Sequence, residues 1–283
     1  MASALFLLLV IVCSVSGTIF RKYYNLLGGR TIYFFNAVVF LVSGICFLIN
    51  SKGLTFSYNA LIYGTFFAVS CIITAIFGLL AINCGPVALG SLFSSYSLLM
   101  PTFYGLIFLK DPIGKGFFIG LLFLLLSIYF INKKSQKEES VKFTVKWLIF
   151  VIIGAVGNGF CSISQKAGQL TGTDTNAMMI TAYIICVIFF TAAGFVKERK
   201  LKVKTELKLS FMPVICGICN GLVNIFVIVL NKSVPAAVLF PLISCGGLIV
   251  TFITSYIAFK EKFSKIQILG FVLGVISIVM LNI

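Results

Sequence analysis

The sequence predicts an all-α polytopic membrane protein whose ten transmembrane helices form two inverted five-helix repeats. Composition is the first observation behind this prediction. Of the 283 residues, 60% are apolar and only 10% are charged, and the mean hydropathy is +1.14. A soluble domain carries about 25% charged residues, so most of this chain cannot face water. The other two observations are a series of apolar segments and an internal repeat.

Ten apolar segments are long enough to cross a bilayer, because about 20 apolar residues in a helix span its hydrocarbon core. The predicted spans, numbered 1 to 10, are 2–20, 31–49, 59–82, 86–109, 113–132, 147–169, 176–196, 210–231, 234–259 and 263–282. No basic segment precedes the first of them. We therefore interpret residues 1–20 as a retained span and not as a signal peptide.

The two halves of the chain repeat each other at an offset of 148 to 150 residues. The matching pairs are Cys13-Ser14-Val15-Ser16 with Cys161-Ser162-Ile163-Ser164, Asn83 with Asn231, Pro86 with Pro235, Lys110-Asp111 with Lys260-Glu261, and Gly120 with Gly270. We predict a first repeat at 1–132, a charged linker loop at 133–146 and a second repeat at 147–283. Because five is an odd number of spans, the repeats have opposite orientations, as in many secondary transporters.

The basic residues predict an orientation in the membrane. The net charge is +15, and 17 of the 22 Lys and Arg residues fall in the loops after spans 1, 3, 5, 7 and 9 or at the adjoining start of span 10. Short basic loops stay in the cytoplasm beside anionic lipids. The sequence therefore predicts a multi-pass protein of the cytoplasmic membrane with both termini extracytoplasmic. The same charge excess predicts contact with membrane lipids and no nucleic-acid partner.

Several kinds of chemistry are excluded by what the sequence lacks. It contains no histidine, and its seven acidic residues all fall in loops or at span ends. Zinc proteases of the HExxH type and intramembrane aspartyl proteases are thereby excluded. We predict that the chain is not an enzyme and binds no cofactor and no metal. Cys216 and Cys219 have the spacing of a redox pair, but their apolar setting favours helix packing.

Uncharged polar side chains within the spans are the remaining candidates for a binding site, because burying them in hydrocarbon is costly unless they are paired or hydrated. The candidate substrate-binding residues are Asn158, Gln165, Asn220, Asn224, Tyr96, Ser95, Ser14, Ser244 and Lys166. The amides among them come in same-face pairs, one pair in span 6 and one in span 8. Such residues also pack transmembrane helices together, so both interpretations stay open here.

Two segments of the chain show a family resemblance. They are NCGPVALGSLFSSYSLLMPTFYGLIFLKDPIGKGFFIG and NKSVPAAVLFPLISCGGLIVTFITSYIAFKEKFSKIQILG. With a Pro-opened helix, a Lys-acid pair and a Gly-containing last span in each half, the chain resembles the drug/metabolite transporter superfamily, specifically its ten-helix EamA-like branch. The resemblance implies a central cavity lined by spans 1, 3, 4, 6, 8 and 9, and transport of small metabolites, frequently outward. One departure is Asp111, where the family usually has Glu.

We therefore expect a secondary transporter that exports a small polar metabolite, such as an amino acid or a related compound, by alternating access. An organic-phosphate or nucleotide-sugar exchanger is an alternative that requires fixed cations in the cavity, for which Lys166 is the candidate. A carrier of quaternary amines such as choline requires an aromatic cage, and Trp147 is the one tryptophan available. A non-transporting membrane scaffold is an alternative of another class. Whether transport is coupled to protons, and whether the chain is a monomer or a homodimer, both stay open.

Overall fold

The computed structural model describes nine α-helices of 16 residues or more and one short 3₁₀ turn. The residues that it describes are 2–29, 31–51, 53–85, 90, 96–98, 100, 104, 107–108, 116–132, 144–198, 209–230, 236–260 and 263–281. The helices are α1 (Ala2–Leu26), α2 (Ile32–Asn50), α3 (Tyr58–Cys84), α4 (Phe117–Asn132), α5 (Val145–Leu170), α6 (Thr175–Lys197), α7 (Phe211–Leu230), α8 (Ala236–Ala258) and α9 (Lys265–Leu281). The 3₁₀ turn is Tyr96–Leu98.

Six of these helices, α1, α2, α3, α5, α6 and α7, are long and apolar enough to cross a membrane. Large apolar side chains such as Ile49 and Val196 are 81% and 83% exposed, as expected of surfaces that contact lipid. The predicted fold class is therefore confirmed as an all-α polytopic membrane protein. The count of ten helices stays a prediction, because most of span 4 lies outside the described residues.

Polar side chains begin three of the helices. Ser57, Thr144 and Asp174 each accept a hydrogen bond from a backbone amide in the first turn of α3, α5 or α6. Such caps satisfy amides that have no partner within the helix. Asp174 also accepts hydrogen bonds from the backbone nitrogen and hydroxyl of Thr55, at 3.0 and 3.2 Å. Burial raises the pKa of Asp174, but these hydrogen bonds outweigh it and hold the pKa below its usual value.

Helix α1 continues six residues beyond the predicted end of span 1 and is followed by Gly28, whose φ of 88° suits glycine. The prediction placed the boundary where the first charges occur. Arg21 and Lys22 are good helix formers, however, and do not end a helix. Lys22 also contacts the end of α3, where its Nζ donates to the carbonyls of Ile82 at 3.1 Å and Gly85 at 3.4 Å. The extension brings Arg21 into the helix bundle.

The helices pack mainly across the two halves of the chain. The main pairs are α3 with α5, α1 with α7, α2 with α6, and α4 with α9. The helices that correspond between the two halves are α1 and α5, α2 and α6, α3 and α7, and α4 and α9. If each helix is replaced by its counterpart, the pair α3–α5 becomes the pair α7–α1. The same exchange maps α2–α6 and α4–α9 onto themselves. This is the pattern that two repeats related by a two-fold axis produce.

Two glycines let α7 lie close to α2. A Cβ atom at Gly217 would lie 2.7 Å from the Cβ of Val42, and one at Gly221 would lie 2.9 Å from the Cβ of Cys46. Small residues at such positions permit the close backbone approach on which helix packing in membranes depends. The approach also allows the Ser43 hydroxyl on α2 to lie 2.9 Å from the carbonyl oxygen of Gly217.

Candidate functional site

A cavity of about 420 Å³ lies between α1, α3, α5, α7 and α8, beside the turn at Tyr96–Leu98. These elements belong to spans 1, 3, 4, 6, 8 and 9, which are the spans that the family resemblance implies. The polar residues that line the cavity are Ser14, Thr18, Arg21, Thr74, Ser97, Asn158, Asn220 and Thr251. Ligand pockets for small molecules typically have volumes of about 300–1,000 Å³, so this one fits a small metabolite.

Asn158 brings an amide into the cavity from the middle of α5. Its Nδ2 donates a hydrogen bond to the hydroxyl of Ser97 at 2.8 Å, and Ser97 itself is buried. Asn158 is nevertheless an exposed residue, because it borders the empty space. One bond holds the amide in place, and the second N–H and the carbonyl oxygen remain available to a ligand.

Asn220 brings a second amide into the cavity from α7. Its Nδ2 donates to the Ser43 hydroxyl at 3.0 Å. That hydroxyl is fully buried on α2, 2.8 Å from the carbonyl oxygen of Val39 and 2.9 Å from that of Gly217. Asn220 is therefore oriented by a helix that does not itself line the cavity. A side chain held in this way is pre-organised for binding.

Helix α1 contributes a polar face to the same cavity. Ser14, Thr18 and Arg21 are spaced i, i+4 and i+7, which places them on one side of the helix, and all three line the cavity. The Thr18 hydroxyl donates to the carbonyl of Ser14 at 3.2 Å. The Arg21 guanidinium lies beside the thiol of Cys216 on α7. Cys13 and Cys219 also line the cavity.

The cavity is displaced toward one end of the bundle. Its lining residues lie at 13–21 in α1, 74–82 in α3 and 147–158 in α5. These are the C-terminal halves of α1 and α3 and the N-terminal half of α5, and they lead to the loops that carry most of the basic residues. We call this end of the bundle the basic end. The sequence predicts that it faces the cytoplasm.

The same helix pairs are in direct contact at the opposite end, which we call the closed end. Phe6 of α1 stacks on Phe226 of α7, with ring centroids 5.2 Å apart. Val10 and Leu230 are 0% and 1% exposed in the apolar cluster around them. Between α3 and α5, the Ser164 hydroxyl donates to the carbonyl of Tyr63 at 2.8 Å.

Residues 145–283 match the model of the EamA-like transporter family. The second half of the chain therefore belongs to the EamA-like transporter family. No curated protein matches its sequence. One solved crystal structure covers 96% of this chain and 95% of its own length, with a TM-score of 0.64 at 11% identity. That likeness shows a shared fold and says nothing about the substrate.

This match confirms the resemblance drawn from the sequence. It indicates a multi-pass membrane transporter of the drug/metabolite type, because the EamA-like family is a family of transporters. The matched region coincides almost completely with the predicted second repeat, 147–283. The substrate and the direction of transport belong to the proposal below.

Three of the nine predicted site residues, Ser14, Asn158 and Asn220, line the cavity. The two other amides are placed elsewhere. Gln165 lies in α5 with its Nε2 3.5 Å from the sulfur of Met179 on α6. Asn224 donates to the backbone carbonyl of Asn220 at 2.8 Å, within its own helix. Neither belongs to the cavity lining.

Tyr96 connects its turn to the pair α4–α9. Its hydroxyl donates to Ser127 at 3.1 Å, and the Ser127 hydroxyl donates to the carbonyl of Gly270 at 2.7 Å. Lys166 is half-buried near the C-terminal end of α5, outside the cavity lining.

The last two predicted site residues are serines. Ser95 lies outside the described residues, and Ser244 lies in α8 with a side chain that is likewise outside them. The role of these two residues in binding stays a prediction, as it does for Tyr96, Lys166, Gln165 and Asn224.

Sequence reasoning missed Arg21 and the cavity thiols. Arg21 was assigned to the loop after span 1, because hydropathy falls at the first charged residue. The signal that could have found it is its spacing of seven residues from Ser14, which continues the polar face of α1. Cys219 was interpreted together with Cys216 as a packing residue, and it does lie between α1 and α7, but both Cys219 and Cys13 also border the cavity.

Proposed function

We propose that this chain is a secondary transporter that moves a small polar metabolite, of the size of an amino acid, by alternating access. The observation that carries the proposal is the cavity between the two halves of the chain, with the amides of Asn158 and Asn220 anchored at its wall. Binding near the middle of the membrane, at the junction of two repeats, is typical of secondary transporters. Ser14 is the third member of the proposed binding site.

The moving parts in this proposal are the repeats at 1–132 and 147–283. Their support is the constant sequence offset together with the helix pairing, in which α1–α7 and α3–α5 are counterparts. The cavity lies between these two pairs. Rocking of one repeat against the other would therefore separate the helices at one end of the bundle and bring them together at the other.

The direction that we propose is export across the cytoplasmic membrane. The cavity is displaced toward the basic end, and basic loops face the cytoplasm in membrane proteins. A binding site that is reached from the cytoplasm binds its substrate on that side first. With the basic end in the cytoplasm, both termini are extracytoplasmic.

Uptake into liposomes containing the purified protein tests this proposal, with a panel of labelled amino acids and related small polar compounds. We expect Asn158→Leu and Asn220→Leu each to lower the transport rate about tenfold, because each removes a hydrogen bond to substrate worth about 1 to 1.5 kcal/mol. Leucine has the branched shape and the number of heavy side-chain atoms of asparagine, which makes it the closest apolar replacement.

The chain offers a matched control for each variant. Gln165→Leu in α5 and Asn224→Leu in α7 remove an amide from the same helices but outside the cavity lining, and we expect transport within about twofold of the unmodified protein. Equal losses in all four variants would reject the assignment of Asn158 and Asn220. Absence of flux for the whole panel in the unmodified protein would contradict the transport proposal and favour a scaffold.

A further inference from the structure

Arg21 is the charged residue among the described residues that line the cavity. It is half-buried on α1, one turn after Thr18, and shares a helix face with Thr18 and Ser14. An ionised side chain within a membrane protein is costly and usually has a function in binding or conduction. The charge of the groups around Arg21 therefore indicates whether its partner is the substrate.

The neighbouring basic residue, Lys22, has different surroundings from Arg21. Lys22 lies on another side of α1, where its Nζ donates to the carbonyls of Ile82 and Gly85 at the C-terminal end of α3. A cation at that position compensates the partial negative charge of the helix end. Lys22 therefore has a structural role, whereas Arg21 reaches the Cys216 thiol, a weak acceptor that carries no compensating charge.

The two acidic residues that the structure describes, Asp174 and Glu198, are engaged by other groups and do not line the cavity. Asp174 caps α6 and binds Thr55 at the closed end. Glu198 accepts hydrogen bonds from the backbone nitrogens of Tyr33 and Phe34, at 2.8 and 2.9 Å, and thus caps α2. In the described part of the chain, then, no carboxylate shares the cavity with Arg21.

We propose that the cavity binds a small organic monoanion and that Arg21 holds its carboxylate. A guanidinium pairs with a carboxylate through two parallel hydrogen bonds. One fixed cation in the described lining matches one negative charge, which favours a monocarboxylate over a phosphate dianion. The amides of Asn158 and Asn220 contact the uncharged part of the ligand. This inference rests on the proposed function, because it names the substrate class of the same site.

The single tryptophan of the chain gives a direct measure of binding. Trp147 belongs to the cavity wall, so its fluorescence reports an occupied cavity without any transport assay. The titrants are lactate, propionate, lactamide and inorganic phosphate, added to purified protein at neutral pH. We expect the monoanions lactate and propionate to bind about tenfold or more tightly than lactamide, which has no negative charge, and more tightly than phosphate.

Three variants test whether the positive charge of Arg21 is the one that binds the carboxylate. Arg21→Gln should weaken carboxylate binding about tenfold or more, and Arg21→Lys should retain part of it, because lysine keeps the charge without the planar fork. Lys22→Gln removes the same charge one residue away, outside the cavity, and should leave the carboxylate preference unchanged. Gel filtration checks that each variant is folded.

The outcomes separate this inference from the transport proposal. Lactamide or phosphate binding as tightly as the carboxylates, no fluorescence change with either carboxylate, or an Arg21→Gln protein that keeps the preference would overturn the anion site. Liposome flux of a neutral compound that depends on Asn158 and Asn220 would leave the transport proposal standing in each of those cases.

Discussion

The two ends of the helix bundle are built from the same helices but are organised differently. At the basic end, α1, α3, α5 and α7 diverge around a cavity of about 420 Å³. At the closed end, Phe6 stacks on Phe226, and Ser164 is bonded to the backbone of Tyr63. The cavity is thus displaced toward one end of the bundle in this conformation, as is expected of a carrier that alternates between two open states.

Polar contacts link the two halves of the chain at both ends. At the closed end, Asp174 joins the loop before α6 to Thr55 in the loop before α3. At the basic end, Glu198 after α6 accepts hydrogen bonds from the backbone nitrogens of Tyr33 and Phe34 at the start of α2. Within the first half, Lys22 of α1 also joins the end of α3 there. The two ends therefore differ in the cavity and in the apolar packing, and not in whether polar contacts join the halves.

Cross-linking the closed end has the largest effect that we expect. In the double variant Phe6→Cys/Phe226→Cys, the new thiols replace rings whose centroids are 5.2 Å apart. A short bifunctional thiol reagent that joins them should reduce liposome transport by about 90% or more, because α1 and α7 can no longer separate there. Reduction of the cross-link should restore transport.

The unmodified protein, treated with the same reagent, is the control for reaction of its native cysteines. Full transport by a cross-linked double variant would show that the closed end does not open during the cycle. In that case, the difference between the two ends would reflect packing alone.

Removing the Asp174 cap has the smallest effect that we expect. Asp174→Ala should lower the free energy of unfolding by about 0.5 to 2 kcal/mol, the usual contribution of an N-cap. Because the pKa of Asp174 is lowered in the folded protein, the contribution of its charge is complete above the ordinary pKa of about 3.9 and is lost as pH falls through the folded pKa.

Thermal unfolding at pH 7 and at pH 3 measures this effect. Asp174→Asn keeps a capping oxygen and should show less acid destabilisation than the unmodified protein. Equal acid sensitivity of the two proteins would show that the carboxylate charge contributes nothing at this position.

The fold class could be predicted from the sequence because apolar length decides which segments enter the membrane. The family resemblance followed from motifs distributed over both halves, and the family match covers residues 145–283. The helix ends were harder to predict: α1 runs past its first charges because arginine and lysine favour helices. Hydropathy detects where charge begins, and it carries no information on the direction of an individual side chain.

The site was predicted only in part, and the amides show why. Asn158 and Gln165 share a helix face by spacing, but Asn158 borders the cavity and Gln165 contacts Met179 of α6. One face of a transmembrane helix contacts different neighbours at different depths, so helical periodicity selects a face and not a depth. Arg21 was missed for the complementary reason, since its depth was judged from its charge.

Cysteine labelling with a membrane-impermeant maleimide, read residue by residue by mass spectrometry, tests most directly whether the cavity is an access route from the basic end. Cys13 and Cys219 line the cavity and are half-buried, and Cys84 is exposed near the basic end of α3. Cys161 and Cys186 are buried among α3, α5 and α6 and serve as internal controls. Reagent on the cytoplasmic side should label Cys84, Cys13 and Cys219 and spare the controls. Labelling of Cys13 and Cys219 solely from the extracytoplasmic side, or from neither side, would contradict the account.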